Sequence, residues 1–433
     1  MKICNMFMRE KILIILFFTG ICSSFVNAQA FNDYSEPPHN YWGGEPNDPM
    51  SLLLKKVESG ETKFDKVLGL PLVEDLLKAL KISKDSQILV FSKTSLQRAA
   101  VSASNPRAIY FNEDVYLGWM PDGRIEIASA DPEKGFMFFF QRPLKDKRSP
   151  LFIRDKVCLE CHAGSATNFL PGPLGRSVFP DIRGRSLGSV DSYELIGHNV
   201  PISERWGGWY VTGAHSSLKH MGNSIAYRSS NKKELKLKVM KSKLDSDRIF
   251  ESSKYPNSDS DIVALLIFDH QVGIHYELVE AAYKARQAIY NSEKSGGSNE
   301  GELEEAISNI TDNLVSHLLM KDETKLSGEV LSLSRDSTFI GNFKKRSKND
   351  SEGRSLRDLE LKNRIFKYPC SYMIYSKSFT ALPEILRNSI FKQIRGVLTN
   401  KIKVGEYDYI SDEKKLEMLE ILGETIPFFS IRS

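Results

Sequence analysis

Residues Cys158-Leu159-Glu160-Cys161-His162 constrain this chain more than any other segment. Two thiols three positions apart, followed at once by an imidazole, suit thioether bonds to the two vinyl groups of a haem. The histidine then supplies one axial nitrogen to the iron. With five Cys and eight His among 433 residues, the pattern arises by chance roughly once in a thousand such chains. Two other readings use the same residues. A zinc site needs further Cys or His at close spacing, and Cys370 is the only other cysteine beyond residue 28. A thiol–disulfide redox pair wants a strand before it and a helix after it, whereas Ala163-Gly164-Ser165 breaks the chain. The favoured expectation is one covalent haem c on Cys158 and Cys161, with His162 on the iron.

The N-terminus agrees with that chemistry, because haem is attached to thiols outside the cytoplasm. Lys2, Arg9 and Lys11 precede the apolar run 12–18, and small residues follow to Val26-Asn27-Ala28-Gln29-Ala30. This is the layout of a secretory signal peptide, with cleavage expected near Ala28 or Ala30 and a periplasmic destination. The run is too short to span a bilayer comfortably, and no transmembrane span is expected in the mature chain. Ile21 before Cys22 argues against a lipid anchor, which wants a small residue there. Removing residues 1–28 lowers the formal charge from +4 to +2 by taking away Lys2, Arg9, Lys11 and Glu10. No basic field then points to nucleic acid. Cys158, Cys161 and Cys370 remain, an odd number, so at least one makes no internal disulfide.

Around the motif the chain is longer and more varied than a small helical cytochrome. Segments 87–91 (QILVF), 108–111 (AIYF), 115–120 (VYLGWM), 124–128 (RIEIA) and 135–140 (GFMFFF) are β-branched or aromatic, and turn residues separate them. They predict an antiparallel sheet, with a short helix before it at 73–81. Residues 164–222, rich in Gly, Pro and Arg, predict a loop wrapped around the haem. From 261 the periodicity is helical: 261–290, 302–321, 378–398 and 412–422, with a flexible Gly/Ser loop at 291–302. The expected fold is α+β. A signal peptide spans 1–28, an N-terminal arm 29–66, an α+β haem-binding region 67–225 and a mostly helical region 226–433. The Lys-rich runs 231–248 and 344–348 are read as solvated, with docking of an acidic redox partner as the alternative.

The chain resembles the large exported bacterial proteins that contain a cytochrome c domain, a family without an assigned reaction. The likeness rests on Ser92-Lys93-Thr94-Ser95 with Gln97, Tyr110-Phe111, the Cys158–His162 motif and Glu204-Arg205-Trp206-Gly207-Gly208-Trp209-Tyr210. It continues through His220-Met221-Gly222-Asn223, His270-Gln271, Gly353-Arg354-Ser355 and Tyr368-Pro369-Cys370, and so covers about 70–398. The resemblance implies haem binding and electron transfer.

The sixth iron position decides the chemistry. Met221, in a Gly-flanked turn, and His220 beside it are the leading candidates, with His198, His215 and His270 as others. A Met ligand favours a higher potential and a carrier role. Arg176, Arg185, Arg205 and Arg354 are candidates for the haem propionates, since the Arg fork matches a carboxylate; pairing with acidic groups of the fold is the alternative. Cys370 is read as a buried thiol, and Ser92-Lys93-Thr94-Ser95 is given no catalytic role. The expected function is one-electron transfer with a redox protein or small-molecule donor or acceptor. The alternatives are a haem enzyme of peroxide or nitrogen-oxide type, or a haem sensor, each with an open sixth position.

Overall fold

The computed structural model describes residues 33–142, 151–189, 196–212, 218–229, 234–240, 250–326, 338–402 and 405–430. The expected signal segment, His215 and most of 231–248 lie outside the described residues. The architecture is α+β, with an antiparallel sheet in the N-terminal half and helices in the C-terminal part.

Helix α1 (Pro49–Glu58) starts where the Asp48 carboxylate accepts from the Met50 and Ser51 amides. Helix α2 (Gly69–Ala79) turns Leu72, Val73, Leu76 and Leu77 inward; it begins earlier than the expected 73–81. Strands β1 (Ile88–Val90), β2 (Arg107–Phe111), β3 (Val115–Trp119), β4 (Glu126–Asp131), β5 (Gly135–Gln141) and β6 (Phe152–Arg154) follow as an antiparallel meander. Short helix α3 (Leu159–His162) carries the motif. Strands β7 (Val178–Pro180) and β8 (Ser186–Ser189) pair with each other. Strand β9 (Trp209–Tyr210) joins the main sheet beyond β1, and β10 (Ser224–Arg228) pairs with β11 (Leu235–Val239). The expected structureless wrap is therefore partly strand, and the region from 226 opens with half of a β-ribbon before its helices.

Alternation along the strands gives the sheet two unlike faces. Arg107, Ile109, Phe111, Tyr116, Gly118, Glu126, Ala128, Phe136, Phe138 and Phe140 fall on one face by register. The other face carries Leu117, Ile127, Ser129 and Phe139, and α1 lies against it, the Met50 amide donating to Ser129 Oγ at 3.1 Å.

Helix α4 (Ile262–Lys294) crosses the first face. Its Phe268 ring meets Phe111 at 5.6 Å and Tyr116 at 5.7 Å between centroids, and His275 meets Phe136 at 5.0 Å. Every residue from Ile262 to His275 is buried. The sequence reading made this helix apolar on one side; over Ile262–His275 its surroundings bury it on every side, and beyond that it keeps one partly exposed face. By length and composition it could cross a membrane, but 89% of its apolar window is buried inside the protein. Helix α5 (Glu300–Leu318) folds back on α4, and α8 (Glu384–Leu398) packs on α5. Helix α9 (Asp412–Thr425) in turn packs on α8; α7 (Lys377–Thr380) lies against α4 and, through Phe379 and Phe391, α8, while α6 (Thr338–Lys344) packs on α4 beside the turn at Lys84–Ser86.

Boundaries in the C-terminal part differ from the sequence reading as well. Helix α4 runs on to Lys294, so the expected loop shrinks to a turn in which Gly296 and Gly297 take φ of +64° and +78°. The expected 378–398 helix is interrupted before Pro383, which disfavours helical backbone at the residue preceding it. Cys370 is fully buried and unpaired, and burial pushes its thiol up to about 12.

Candidate functional site

The first face of the sheet is not covered completely. Helix α4 closes the end carrying Phe111, Tyr116 and Phe136, and a cleft of about 1120 Å³, measured to its open mouth, occupies the other end. Its floor is Arg107, Ile109, Gly118, Glu126, Ala128 and Phe138. Its walls are Cys158, Cys161 and His162 on one side, with Pro173–Arg176, Trp209, Phe268 and Val272 on another. All three residues of the motif therefore line this largely apolar cleft on the sheet.

Local structure aims the motif into that cleft. Asp155 caps the short turn entering it by accepting from the Val157 amide at 3.0 Å. The chain then makes α3 and reverses through Gly164–Gly172. Gly172 donates its amide to the His162 carbonyl at 2.9 Å, and Thr167 Oγ1 donates to the same oxygen at 3.2 Å. The Gly172 carbonyl in turn lies 2.9 Å from His162 Nδ1. A carbonyl only accepts, so Nδ1 carries the proton and Nε2 keeps its lone pair. The ring packs on Phe138 at 4.3 Å. Burial, offset in part by the Gly172 bond and reinforced by the Arg107 and Arg176 charges, lowers the imidazole to about 4. Burial likewise raises the Cys158 thiol to about 12, with Asp155 and Glu126 adding to the effect. Both Cys158 and Cys161 are free thiols.

The wrap is held against the cleft by close backbone contact. Trp206 and Gly208 adopt φ of +65° and +89°. A Cβ on Gly207 would meet the Val178 carbonyl at 2.2 Å, and one on Gly208 would meet Ser92 Cβ at 2.5 Å. The Trp-Gly-Gly-Trp run is glycine in the middle because β7 and the end of β1 press on it from two sides. Trp209 then reaches the cleft wall, its Nε1 donating to the Arg176 carbonyl at 2.8 Å.

Of the arginines named from sequence, Arg176 lines the cleft. Arg185 does not: it is exposed in a turn, where its amide donates to Asp181 Oδ1 at 2.8 Å. Arg205 does not either. It is 3% exposed, donates to the Val200 and His198 carbonyls, and pairs with Asp269 at 3.6 Å. Arg354 is engaged with Asp350 and Glu420. Arg107, which was not among the arginines named from sequence, lies on the cleft floor with Glu126 2.5 Å from it. Thr94 and Ser95, given no role from sequence, also line the cleft.

The sixth-ligand candidates fall elsewhere. Met221 is buried, its methyl against Gly207 and its amide donating to the Arg205 carbonyl. His220 Nδ1 accepts from the Gly222 amide at 3.0 Å, and its ring meets Trp206. His198 and His270 bond each other through their Nδ1 atoms at 3.1 Å, and His270 Nε2 lies 2.8 Å from Ser371 Oγ. Among the described residues, His162 is the only His or Met lining the cleft. No group of three or more metal-binding side chains occurs among them either, so the donor set is one imidazole beside two thiols. That set suits a covalently tethered metal macrocycle. No family model, no curated protein and no solved structure matches this chain.

Proposed function

We propose that this protein is an exported mono-haem c-type redox protein that passes single electrons through a haem held in the cleft. Cys158 and Cys161 would carry the thioethers, His162 Nε2 the iron, and Arg107 and Arg176 the propionates. The observation that carries the reading is the motif lining a large apolar cleft with the His162 tautomer set by the Gly172 carbonyl. Bound there, the group would supply the one-electron couple; the chain's own part is to orient the imidazole and exclude water. The Phe138, Phe268 and Trp209 walls suit that exclusion.

A second reading has an observation of its own. The cleft lining offers no second His or Met among the described residues. This supports a sixth position open to a small ligand, a hydroperoxide or a nitrogen oxide, over a plain carrier. Expression with haem-attachment machinery tests both readings. A thioether haem spectrum is expected, lost in Cys158→Ala with Cys161→Ala; covalent haem that survives both substitutions sinks the proposal. Rapid carbon monoxide binding to the reduced protein selects the open site, and a six-coordinate low-spin spectrum selects the carrier.

A further inference from the structure

Tyr116 lies at the border of the cleft and the buried α4 interface, and its hydroxyl has two partners. His275 Nδ1 lies 2.9 Å from it and Gln271 Nε2 lies 2.8 Å from it. The direction of each bond follows from donor chemistry. Gln271 Oε1 accepts from the Tyr372 hydroxyl at 2.9 Å, and Gln271 Nε2 also donates to the Asn112 carbonyl at 2.8 Å. The amide nitrogen has only donors, so it donates to Tyr116 Oη. The single phenolic proton is left to point at His275 Nδ1. His275 Nε2 is buried with no hydrogen-bond partner among the described residues, so the Tyr116 hydroxyl is the polar side chain that meets this imidazole, at Nδ1.

The surroundings are dry. His275 is 0% exposed and Tyr116 is 6% exposed, with Phe111, Phe136 and Phe268 around the phenol ring. Burial holds the phenol well above its usual range and the imidazole down near 3. At neutral pH the pair is therefore a neutral phenol facing a neutral base. Loss of an electron would make the phenol a far stronger acid than imidazolium, so its proton has a place to go without crossing the protein.

We infer that Tyr116 and His275 form a proton-coupled electron donor to the cleft, giving a tyrosyl radical when the group held there is oxidised by a hydroperoxide. The inference rests on the proposed haem in the cleft. In the step, one electron leaves the Tyr116 ring for the oxidised group, which is reduced by one. The Tyr116 O–H bond breaks, an N–H bond forms at His275 Nδ1, and the products are a neutral phenoxyl radical and an imidazolium. The oxidising equivalents come from the hydroperoxide, whose O–O bond breaks on two-electron reduction to two waters, or to an alcohol and water, with two protons from solvent; Tyr116 would supply one of the two electrons and the group held in the cleft the other. Gln271 stays hydrogen-bonded to the phenolic oxygen throughout and fixes its distance from His275.

The experiment uses the full haem-loaded chain, mixed with hydrogen peroxide, frozen within seconds and read by electron paramagnetic resonance. A tyrosyl signal is expected, assigned by its collapse on tyrosine ring deuteration. It should be lost in Tyr116→Phe and in His275→Gln, and kept in Tyr110→Phe, whose hydroxyl bonds Gln87 away from the cleft. Should either variant fold poorly, 3-fluorotyrosine placed at position 116 keeps the hydroxyl and must add fluorine splitting to the signal. Covalent haem with no tyrosyl radical, or one unchanged by Tyr116→Phe and by fluorination, overturns the inference and leaves the haem reading standing. A chain that attaches no haem overturns both.

Discussion

His162 Nδ1 and the Gly172 carbonyl oxygen lie 2.9 Å apart, and this one bond sets which imidazole nitrogen faces the cleft. It joins a helix of four residues to a loop ten positions on, itself tied to the sheet because the Phe136 amide donates to the Pro171 carbonyl. The tether acts through backbone, so it depends on loop conformation more than on loop side chains.

Gly135 is where that dependence is sharpest. It takes φ of +77°, and a Cβ there would sit 2.7 Å from the Pro171 carbonyl. Gly135→Ala is expected to destabilise the fold by about 2 kcal/mol or more, adding left-handed strain to a backbone clash. Chemical denaturation measures this; a change within about 0.5 kcal/mol, as at an ordinary surface site, would contradict it.

Single-thiol variants separate attachment from ligation. Cys158→Ala and Cys161→Ala should each keep one thioether, and their pyridine haemochrome bands should move to longer wavelength than the parent's. His162→Ala should leave the thioether chemistry possible while removing the axial imidazole. Identical reduced spectra for parent and His162→Ala would refute its assigned role.

Arg176 and Arg107 both act on His162 as nearby positive charges. Positive charge beside the proposed haem iron would favour its reduced form. Arg176→Gln is expected to lower the reduction potential by something on the order of tens of mV, through a lost fraction of a kcal/mol to about one. Spectroelectrochemistry at low and high salt reads it; an unchanged or higher potential counts against a propionate-side position.

The Arg205–Asp269 pair should behave as structure. Burial raises Asp269 to about 6, opposed by the Arg205 charge and the Trp206 bond. Asp269→Ala would leave a buried guanidinium and an indole N–H unpaired and is expected to remove roughly 3–5 kcal/mol of stability. Arg205→Gln should destabilise as well, with the haem spectrum and potential unmoved. A potential shift as large as that of Arg176→Gln would return Arg205 to the propionates.

Acid sensitivity follows from the buried histidines. Burial lowers His270 and His275 to about 3, from an unfolded value near 6.5. The unfolded chain binds the extra protons, so stability is present above about pH 6.5 and is lost as pH falls toward 3. Asp269, raised to about 6, works the other way between its unfolded 3.8 and 6, and offsets only part of this. Thermal unfolding at pH 7, 5.5 and 4.5 should show a progressive loss, on the order of a few kcal/mol by the lowest pH. A flat profile would mean that these imidazoles are hydrated.

Much of the sheet was legible because β-branched and aromatic runs alternate with turn residues over short distances. The segments 108–111, 115–120 and 135–140 lie where β2, β3 and β5 are found. The helices α5 and α9 were legible by the same local logic, an apolar stripe between polar faces. Arg107 and Tyr116 were not legible as cleft residues, since within a strand each looks like any other alternating position. The choice among Met221, His220 and His198 was equally hidden, because a turn or a Gly neighbour says nothing about which cavity a side chain reaches.

By itself the sequence determined the local periods, the caps and the chemical content of the Cys158–His162 segment, because these depend on neighbours within a few residues. The tertiary structure decided which sheet face stays uncovered, that Arg176 and Arg107 border the opening while Arg205 and Met221 do not, and that Tyr116 meets His275 across 159 positions of chain. Those are consequences of register and of where one long buried helix stops covering the sheet. They are settled only when strands and helices from distant parts of the chain pack against one another.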